Sequence, residues 1–200
     1  MATRVDEIAP GVFHWRVHDE RIDYLSAAHA VRTAHGTVLI DPLPLADEAL
    51  GRLGEVTAIC LSCGSHQRSA WRLRRQLGVA VHAPALSQTL EQRADVSYGD
   101  GDRLPGGLRA VFTPGAGTSQ HTFLLEREQS VAFVPDLLVW PPGEERLAML
   151  STDEYYDLDL ARRSIEQLLD LPIAVLCLAH GVPVLDTPKA AIRAALDTPR

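Results

Sequence analysis

The sequence predicts an α+β protein in which two mixed sheets pack face to face and helices cover both outer faces, a four-layer αββα sandwich. The first third of the chain is rich in β-branched and aromatic residues, and a strand–helix alternation follows before strands return. The segments 66–77 and 158–169 each carry one apolar stripe and one charged face. Because such a helix covers a single sheet face, we expect these two helices on the outer faces of the sandwich.

The individual elements follow from hydrophobic periodicity and from turn residues. A His35-Gly36 turn predicts a hairpin, and Thr187-Pro188 predicts the start of the last helix. Strands are predicted at 11–17, 23–33, 36–41, 56–61, 79–82, 108–113, 121–126, 130–135 and 172–178. Helices are predicted at 46–53, 66–77, 85–91, 158–169 and 187–196. The segment 140–153 contains Pro141-Pro142-Gly143 and no clear period, so we interpret it as a surface loop or lid.

Composition limits the classes of function. A chain of 200 residues with 46% apolar and 22% charged residues is expected to form one domain over 1–200. The net charge of −7 argues against nucleic acid or an anionic membrane surface as the main partner. The longest apolar run is far shorter than the ~20 residues that a membrane-spanning helix needs. Three cysteines and no apolar leader segment favour a cytoplasmic location, and the oligomeric state stays open.

Polar residues follow apolar strands at several separated places. Asp41 ends a predicted strand, Asp136 directly follows one, and His180 lies two residues beyond one. The passage 59–68 runs from a strand into a helix. Because α/β proteins build their sites at the carboxyl ends of strands, these residues predict a shared pocket.

These motifs, in this order, resemble those of the metallo-beta-lactamase superfamily over nearly the whole chain. The matching segments are Val38-Leu-Ile-Asp-Pro42, Cys63 to Arg68 for the family's His-x-His-x-Asp-His, Thr113-Pro-Gly-Ala116 for its Pro-Gly-His, Pro135-Asp136 for its Gly-Asp, and Ala179-His-Gly181 for its Gly-His-Gly. The resemblance implies the αββα fold and a hydrolase that uses two metal ions on thioester, lactone or phosphoester substrates.

The ligand positions of that motif are largely replaced. They hold Cys63, Ser65, Gln67, Arg68 and Ala116, so that only Asp136 and His180 remain of seven. Arginine has no free lone pair, and alanine has no donor atom, so a two-metal centre is not expected. We therefore expect that the protein holds no cofactor. We expect it to be a small-molecule binding or regulatory protein that uses the pocket of the lost metal centre. The expected pocket residues are Asp41, Ser65, His66, Gln67, Arg68, Ala116, His121 and Asp136.

Enzymatic alternatives stay open. Cys63, Asp136 and His180 could bind one Zn²⁺, or Cys63 could be a nucleophile with His180 as its base, giving an ester, thioester or lactone hydrolase. Cys60 and Cys63 also form a C-x-x-C pattern, which is typical of thiol redox sites.

Three further side chains are interpreted from their positions. His66 falls at a variable position of the motif and is interpreted as a solvent-facing or helix-capping residue. His121 is interpreted as a strand-edge histidine. Arg68 occupies a former ligand position, and we expect its guanidinium to pair with the buried carboxylate of Asp136.

Overall fold

The computed structural model describes residues 1–20, 23–150 and 155–198. The strands are β1 Asp6–Ala9, β2 Val12–Asp19, β3 Tyr24–Thr33, β4 Gly36–Ile40, β5 Val56–Cys60, β6 Ala80–Pro84, β7 Val96–Tyr98, β8 Leu108–Phe112, β9 His121–Leu125, β10 Val131–Val134, β11 Leu138–Val139, β12 Ala148–Met149 and β13 Val175–Leu178. The helices are α1 Asp47–Gly51, α2 Ala70–Leu77, α3 Leu158–Leu168 and α4 Pro188–Asp197. In the part of the chain that the structure describes, none of the helices combines the length and the apolar character needed to cross a membrane.

The strands form two large sheets. The first sheet has the order β1-β2-β3-β4-β5-β6-β7, antiparallel from β1 to β4 and parallel from β4 to β7. The second sheet has the order β13-β10-β9-β8, and β10 and β13 are parallel. In both sheets, parallel neighbours therefore bring the carboxyl ends of strands to a common edge.

The apolar side chains form three layers of core. Val31 and Ile40 of the first sheet pack with Phe123 of the second in the layer between the sheets. Leu39 faces the opposite way, into a layer beneath α1 and α2, because successive strand residues point to opposite faces. Leu124 likewise lies with α3 and α4 in the third layer. The predicted αββα sandwich, with helices on both outer faces, is confirmed.

Two predicted helices differ from the structure. Helix α2 begins at Ala70 rather than at 66, because Arg68 has the left-handed φ of 42° and a right-handed helix cannot run through it. Residues 85–91 form no helix. In that segment the backbone of Thr89 and Glu91 bonds to the side chain of Gln67, which replaces the intrahelical bonds that a helix would make.

The segment expected as a lid is a hairpin as far as residue 150. Strand β11 pairs with β12 in antiparallel register, and Leu147, Ala148 and Met149 are buried in the core beneath α3 and α4. Residues 151–153 of the expected lid lie outside the described residues. Residues 147–149 are therefore part of the core, which argues against a lid there, whereas 142–146 are exposed and the lid stays a prediction for them.

Two histidines lie side by side between the sheets. His14 of β2 and His29 of β3 are cross-strand partners, with His14 Nδ1 lying 3.1 Å from His29 Nε2, and His29 also packs against Phe133. Burial, reinforced by the charge of Arg16, lowers the pKa of His14 to about 4. Burial lowers the pKa of His29 well below its usual value. Both rings are therefore neutral at pH 7.

The two buried histidines should lower the free energy of unfolding as the pH is lowered from 7.5 to 5, against a smaller opposite contribution from His66, whose pKa is raised in the folded chain. The unfolded chain binds protons near the ordinary histidine pKa of 6.5, whereas the folded chain binds them only at lower pH, so acid favours unfolding. Each histidine should contribute a loss of about 2 kcal/mol over this interval. Urea unfolding at the two pH values measures it. Replacing both residues by leucine should remove this part of the pH dependence, and His35→Asn at an exposed position should not; a double variant with an unchanged pH dependence would contradict the prediction.

Candidate functional site

The polar side chains that follow the strands come together at one edge of the sandwich. Asp41 follows β4 directly, and residues 62–69 follow the parallel neighbour β5. Asp136 and His180 lie two residues beyond β10 and β13, which are also parallel neighbours. The two parallel pairs therefore place one half of the site on each sheet.

His66 bridges two carboxylates. Its Nδ1 lies 3.1 Å from Asp41 Oδ2, and its Nε2 lies 3.1 Å from Asp136 Oδ1. Asp41 also accepts a hydrogen bond from the Ser62 N–H at 2.8 Å and another from the Ser62 hydroxyl. Because Asp41 follows a strand of the first sheet and Asp136 a strand of the second, His66 links the two sheets at this edge.

A second imidazole holds Asp136 from the other side. His180 Nε2 lies 3.2 Å from the same Asp136 Oδ1, and His180 Nδ1 lies 3.5 Å from Ser26 Oγ. The backbone of His180 is fixed as well, since its carbonyl accepts a hydrogen bond from the Trp140 N–H at 3.0 Å. A continuous chain of polar side chains thus runs from Ser62 through His66 to Ser26.

The two bridging groups shift each other's protonation. Burial raises the pKa of Asp136, but the charge of His66 and the hydrogen bonds from His180 and His66 outweigh it and hold the pKa well below its usual range. Burial lowers the pKa of His66, but the Asp136 carboxylate raises it by more than burial lowers it. The pKa of His66 therefore lies well above its usual value. Without a metal ion, His66 is therefore an imidazolium that faces ionised Asp136.

Three of these groups could bind a metal ion. Cys63, His66 and Asp136 offer a sulfur, a nitrogen and an oxygen atom that all lie within 4.8 Å of one another. A tetrahedral Zn²⁺ with bonds of about 2.0–2.3 Å holds its ligand atoms about 3.3–3.8 Å apart, so small side-chain movements suffice. The bond from His66 Nδ1 to Asp41 matches the carboxylate–histidine arrangement that orients many metal-binding imidazoles. The residues present fit one Zn²⁺.

This group differs from the set expected from the sequence. His66 takes the place that we expected for His180, which contacts Asp136 but lies outside the group among the described residues. The interpretation of His66 as solvent-facing is wrong, because the residue is only 5% exposed. The left-handed turn at Arg68 ends the loop before α2 begins, so counting helical positions from the motif does not give the direction of the His66 ring.

The remaining motif positions do not support a second metal ion. Ala116 has no donor atom, and the amide of Gln67 and the guanidinium of Arg68 are bonded to other parts of the protein. Ser65 Oγ lies 3.1 Å from Cys63 Sγ and is the remaining polar atom. The described residues contain one group of three candidate ligands and no second group.

Gln67 anchors the site loop instead of facing a ligand. Its Nε2 donates to the carbonyls of Gly64 at 2.8 Å and Thr89 at 2.9 Å. Its Oε1 accepts hydrogen bonds from Trp71 Nε1 at 2.7 Å and from the Glu91 N–H at 2.6 Å. Both donors and both acceptor positions of the amide are used, so Gln67 lines the cleft beside the loop without a free polar group for a ligand.

Arg68 does not pair with Asp136. Its Nη1 donates to the carbonyls of Ala27 at 2.6 Å and Asp41 at 3.0 Å, and its Nη2 donates to the Ala179 carbonyl at 3.4 Å. The predicted ion pair is wrong because His66 and His180 already supply the donors that Asp136 needs.

Two other predicted groups lie in packed surroundings. The ring of His121 packs against Tyr98 and Phe112, and its Nδ1 lies 3.0 Å from the Ser119 carbonyl. Cys60 lies in the core between the sheets, where burial raises the pKa of its thiol. A thiol in that environment is a poor redox partner, which weakens the C-x-x-C interpretation.

Sequence reasoning did not find Ser62 and Ser26. Ser62 stands between the end of β5 and the motif, next to the strand that ends at Asp41, and that placement is a signal that could have identified it. Ser26 lies in β3, where its neighbour His180 is 154 residues away in sequence, and no local pattern indicates the contact.

A cleft of about 510 Å³ adjoins the site loop. Val17 and Leu43 give it an apolar side, while Ser65, Arg68 and Glu91 give it a polar one. A cleft of this size and mixed character can hold a small molecule.

Comparison with known proteins agrees with this geometry. The sequence profile of the metallo-beta-lactamase superfamily matches residues 7–192. No curated protein matches the chain's sequence.

Solved structures share the fold at low sequence identity. A metallo-beta-lactamase from Pontibacter korlensis aligns with a TM-score of 0.76 at 16% identity, covering 99% of this chain and 100% of that one. A metallo-beta-lactamase from Erythrobacter litoralis aligns with a TM-score of 0.71 at 16% identity, covering 96% of this chain and 90% of that one. An archaeal metallo-beta-lactamase superfamily protein from Sulfolobus tokodaii aligns with a TM-score of 0.73 at 15% identity, covering 93% of this chain and 84% of that one. At these identities the likeness establishes the fold and nothing about substrate.

Replacing Gln67 by glutamate should lower the free energy of unfolding by about 2–4 kcal/mol, because a carboxylate cannot donate to the carbonyls of Gly64 and Thr89. Chemical denaturation at pH 7.5 measures the change. Gln88→Glu, at an exposed position of the loop that carries Thr89, is the matched control and should leave stability unchanged. Equal stability of Gln67→Glu and the wild type would show that the amide network does not hold the loop.

Proposed function

The chain belongs to the metallo-beta-lactamase superfamily, and we propose that it is a hydrolase of esters, thioesters or lactones that works with a single Zn²⁺. The observation that carries the proposal is the group of Cys63, His66 and Asp136, whose ligand atoms lie within 4.8 Å of one another. When bound, Zn²⁺ supplies Lewis acidity towards a carbonyl oxygen and towards water.

The surrounding residues support a prepared metal site. Asp41 fixes the His66 ring through Nδ1, and Ser62 in turn fixes Asp41 with two hydrogen bonds. His180 holds the carboxylate of Asp136 through Nε2. Two of the three candidate ligands, His66 and Asp136, are therefore each restrained by a neighbour, as metal ligands generally are.

Access from solvent also fits a reaction with a small substrate. Cys63 is 2% exposed and His66 is 5% exposed, whereas the side chains of Asp136 and His180 are 22% and 12% exposed. The group is thus open on the side of Asp136 and His180 and closed behind Cys63. A substrate would approach from that open side.

A nucleophilic role for Cys63 has less support. Catalysis by a thiolate requires a base within hydrogen-bond reach of the sulfur. The hydrogen bonds described for Cys63 Sγ are to the hydroxyls of Ser62 at 3.9 Å and Ser65 at 3.1 Å, and neither is a base. The His66 imidazole lies within 4.8 Å of the sulfur, but its two ring nitrogens bond to Asp41 and Asp136 instead. The metal role therefore explains the position of the thiol better.

A second candidate is a small-molecule binding or regulatory protein that uses the pocket without a metal. The raised pKa of His66 favours it, since an imidazolium already supplies the positive charge that Asp136 requires. Zinc binding separates the two candidates.

Protein purified without a histidine tag and treated with chelator should bind one equivalent of Zn²⁺. Cys63→Ala and His66→Gln should each raise the dissociation constant by more than about 100-fold, since the loss of even an outer partner of a ligand costs about 10–100-fold. Cys177→Ala, which removes a buried thiol from the core between the sheets, is the control and should bind normally. Isothermal titration with a competing chelator measures the constants. Two equivalents, or none, would overturn the single-zinc proposal.

The zinc-loaded protein should hydrolyse at least one member of a panel of aryl esters, thioesters and lactones. Chelator should abolish the rate, added Zn²⁺ should restore it, and His66→Gln should be inactive while remaining folded. Hydrolysis that persists in chelator and in His66→Gln would contradict the proposal. Binding of a panel member without turnover would favour the second candidate.

A further inference from the structure

Arg68 holds three backbone carbonyls that belong to three different segments around the site. Nη1 donates to the carbonyl of Ala27 in β3 at 2.6 Å and to that of Asp41 beyond β4 at 3.0 Å. Nη2 donates to the carbonyl of Ala179 beyond β13 at 3.4 Å. One guanidinium therefore touches the first sheet at two places and the second sheet at one.

Two of these carbonyls are directly connected to the polar chain of the site. Asp41 carries the carboxylate that orients His66. Ala179 precedes His180, and its carbonyl also accepts a hydrogen bond from the Ala27 N–H at 2.7 Å. A displacement of either carbonyl would move an imidazole relative to Asp136, which both imidazoles contact.

The residue type and the backbone both suit this role. Arginine stays charged and offers several donors in a rigid planar fork, so it can serve carbonyls in different directions at once. Arg68 has a φ of 42°, and Asp41, whose carbonyl it binds, has a φ of 45°. Left-handed backbone at residues other than glycine is strained, and it persists where the surroundings hold it in place.

We propose that Arg68 is a positioning residue that holds the Asp41–His66 half and the Asp136–His180 half of the site in register across the two sheets. In the metal-free protein it keeps the imidazoles of His66 and His180 on the same carboxylate. Its effect on Zn²⁺ affinity rests on the proposed function, whereas its effect on the imidazoles does not.

The first test observes the imidazoles without metal. Nuclear magnetic resonance of ¹⁵N-labelled, chelator-treated protein should show hydrogen-bonded imidazole N–H signals of His66 and His180 in the wild type. Arg68→Met, which keeps the length of the side chain and removes its donors, should lose or shift both signals by clearly more than Arg72→Met on the exposed side of α2. Arg68→Lys should be intermediate, because a single ammonium cannot reproduce the fork. A folded Arg68→Met with wild-type imidazole signals would overturn the proposal.

The second test measures Zn²⁺ affinity. Arg68→Met should raise the dissociation constant about 10–100-fold, as the loss of outer partners of metal ligands does, and Arg68→Lys should raise it less. A purely structural arginine would lower the free energy of unfolding and leave the affinity of the folded protein unchanged. Wild-type zinc affinity in Arg68→Met would therefore overturn the positioning role.

The outcomes separate the two proposals. A wild type that binds no zinc refutes the proposed function, and the imidazole signals then decide the role of Arg68 alone. Where Arg68→Met does not fold, Arg68→Lys carries both measurements, and wild-type signals together with wild-type affinity in that variant would overturn the proposal.

Discussion

Two carboxylates from opposite sheets face one imidazole, and the geometry of the site follows from that contact. Asp41 and Asp136 are each held at a strand end where solvation is poor, and an unpaired carboxylate in such a place costs on the order of several kcal/mol. His66 satisfies both, through Nδ1 and Nε2. A single ring can reach two carboxylates only if the edges of the two sheets stay a fixed distance apart, so the contact depends on the core layer that packs between the sheets.

The former ligand positions have acquired bonds to the backbone. Gln67 joins the site loop to the loop after β6, and Arg68 joins β3 to the ends of β4 and β13. Gln67 donates to carbonyls of two loops, and Arg68 donates to a carbonyl of β3 and to carbonyls just beyond β4 and β13. The site loop carries fewer potential metal ligands than the motif of the family, and amide and guanidinium hydrogen bonds hold it in shape.

The elements that the sequence predicted well are those whose signal is local and repeated. The alternation of Leu39 and Ile40 between two core layers, and the single apolar stripe of α3, follow directly from side-chain periodicity. The strand-end residues Asp41, Asp136 and His180 were identified for the same reason. The helix at 85–91 failed because its backbone is satisfied by Gln67, a partner more than 20 residues away along the chain. The direction of the His66 side chain was predicted wrongly because the left-handed turn at Arg68 leaves no trace in the hydrophobic periodicity of the sequence.

The two candidate functions make different use of the same imidazole nitrogen. The bond from His66 Nδ1 to Asp41 is common to both, since a buried carboxylate needs a donor whether or not a metal is present. Nε2, in contrast, can either donate a proton to Asp136 or present its lone pair to a metal ion, and it cannot do both. The residues that orient the ring, Asp41, Ser62 and Arg68, therefore serve either function equally. The choice between the functions depends on Cys63, because a buried thiol beside an imidazolium adds little to a binding pocket, whereas the same sulfur completes a three-atom ligand set for Zn²⁺.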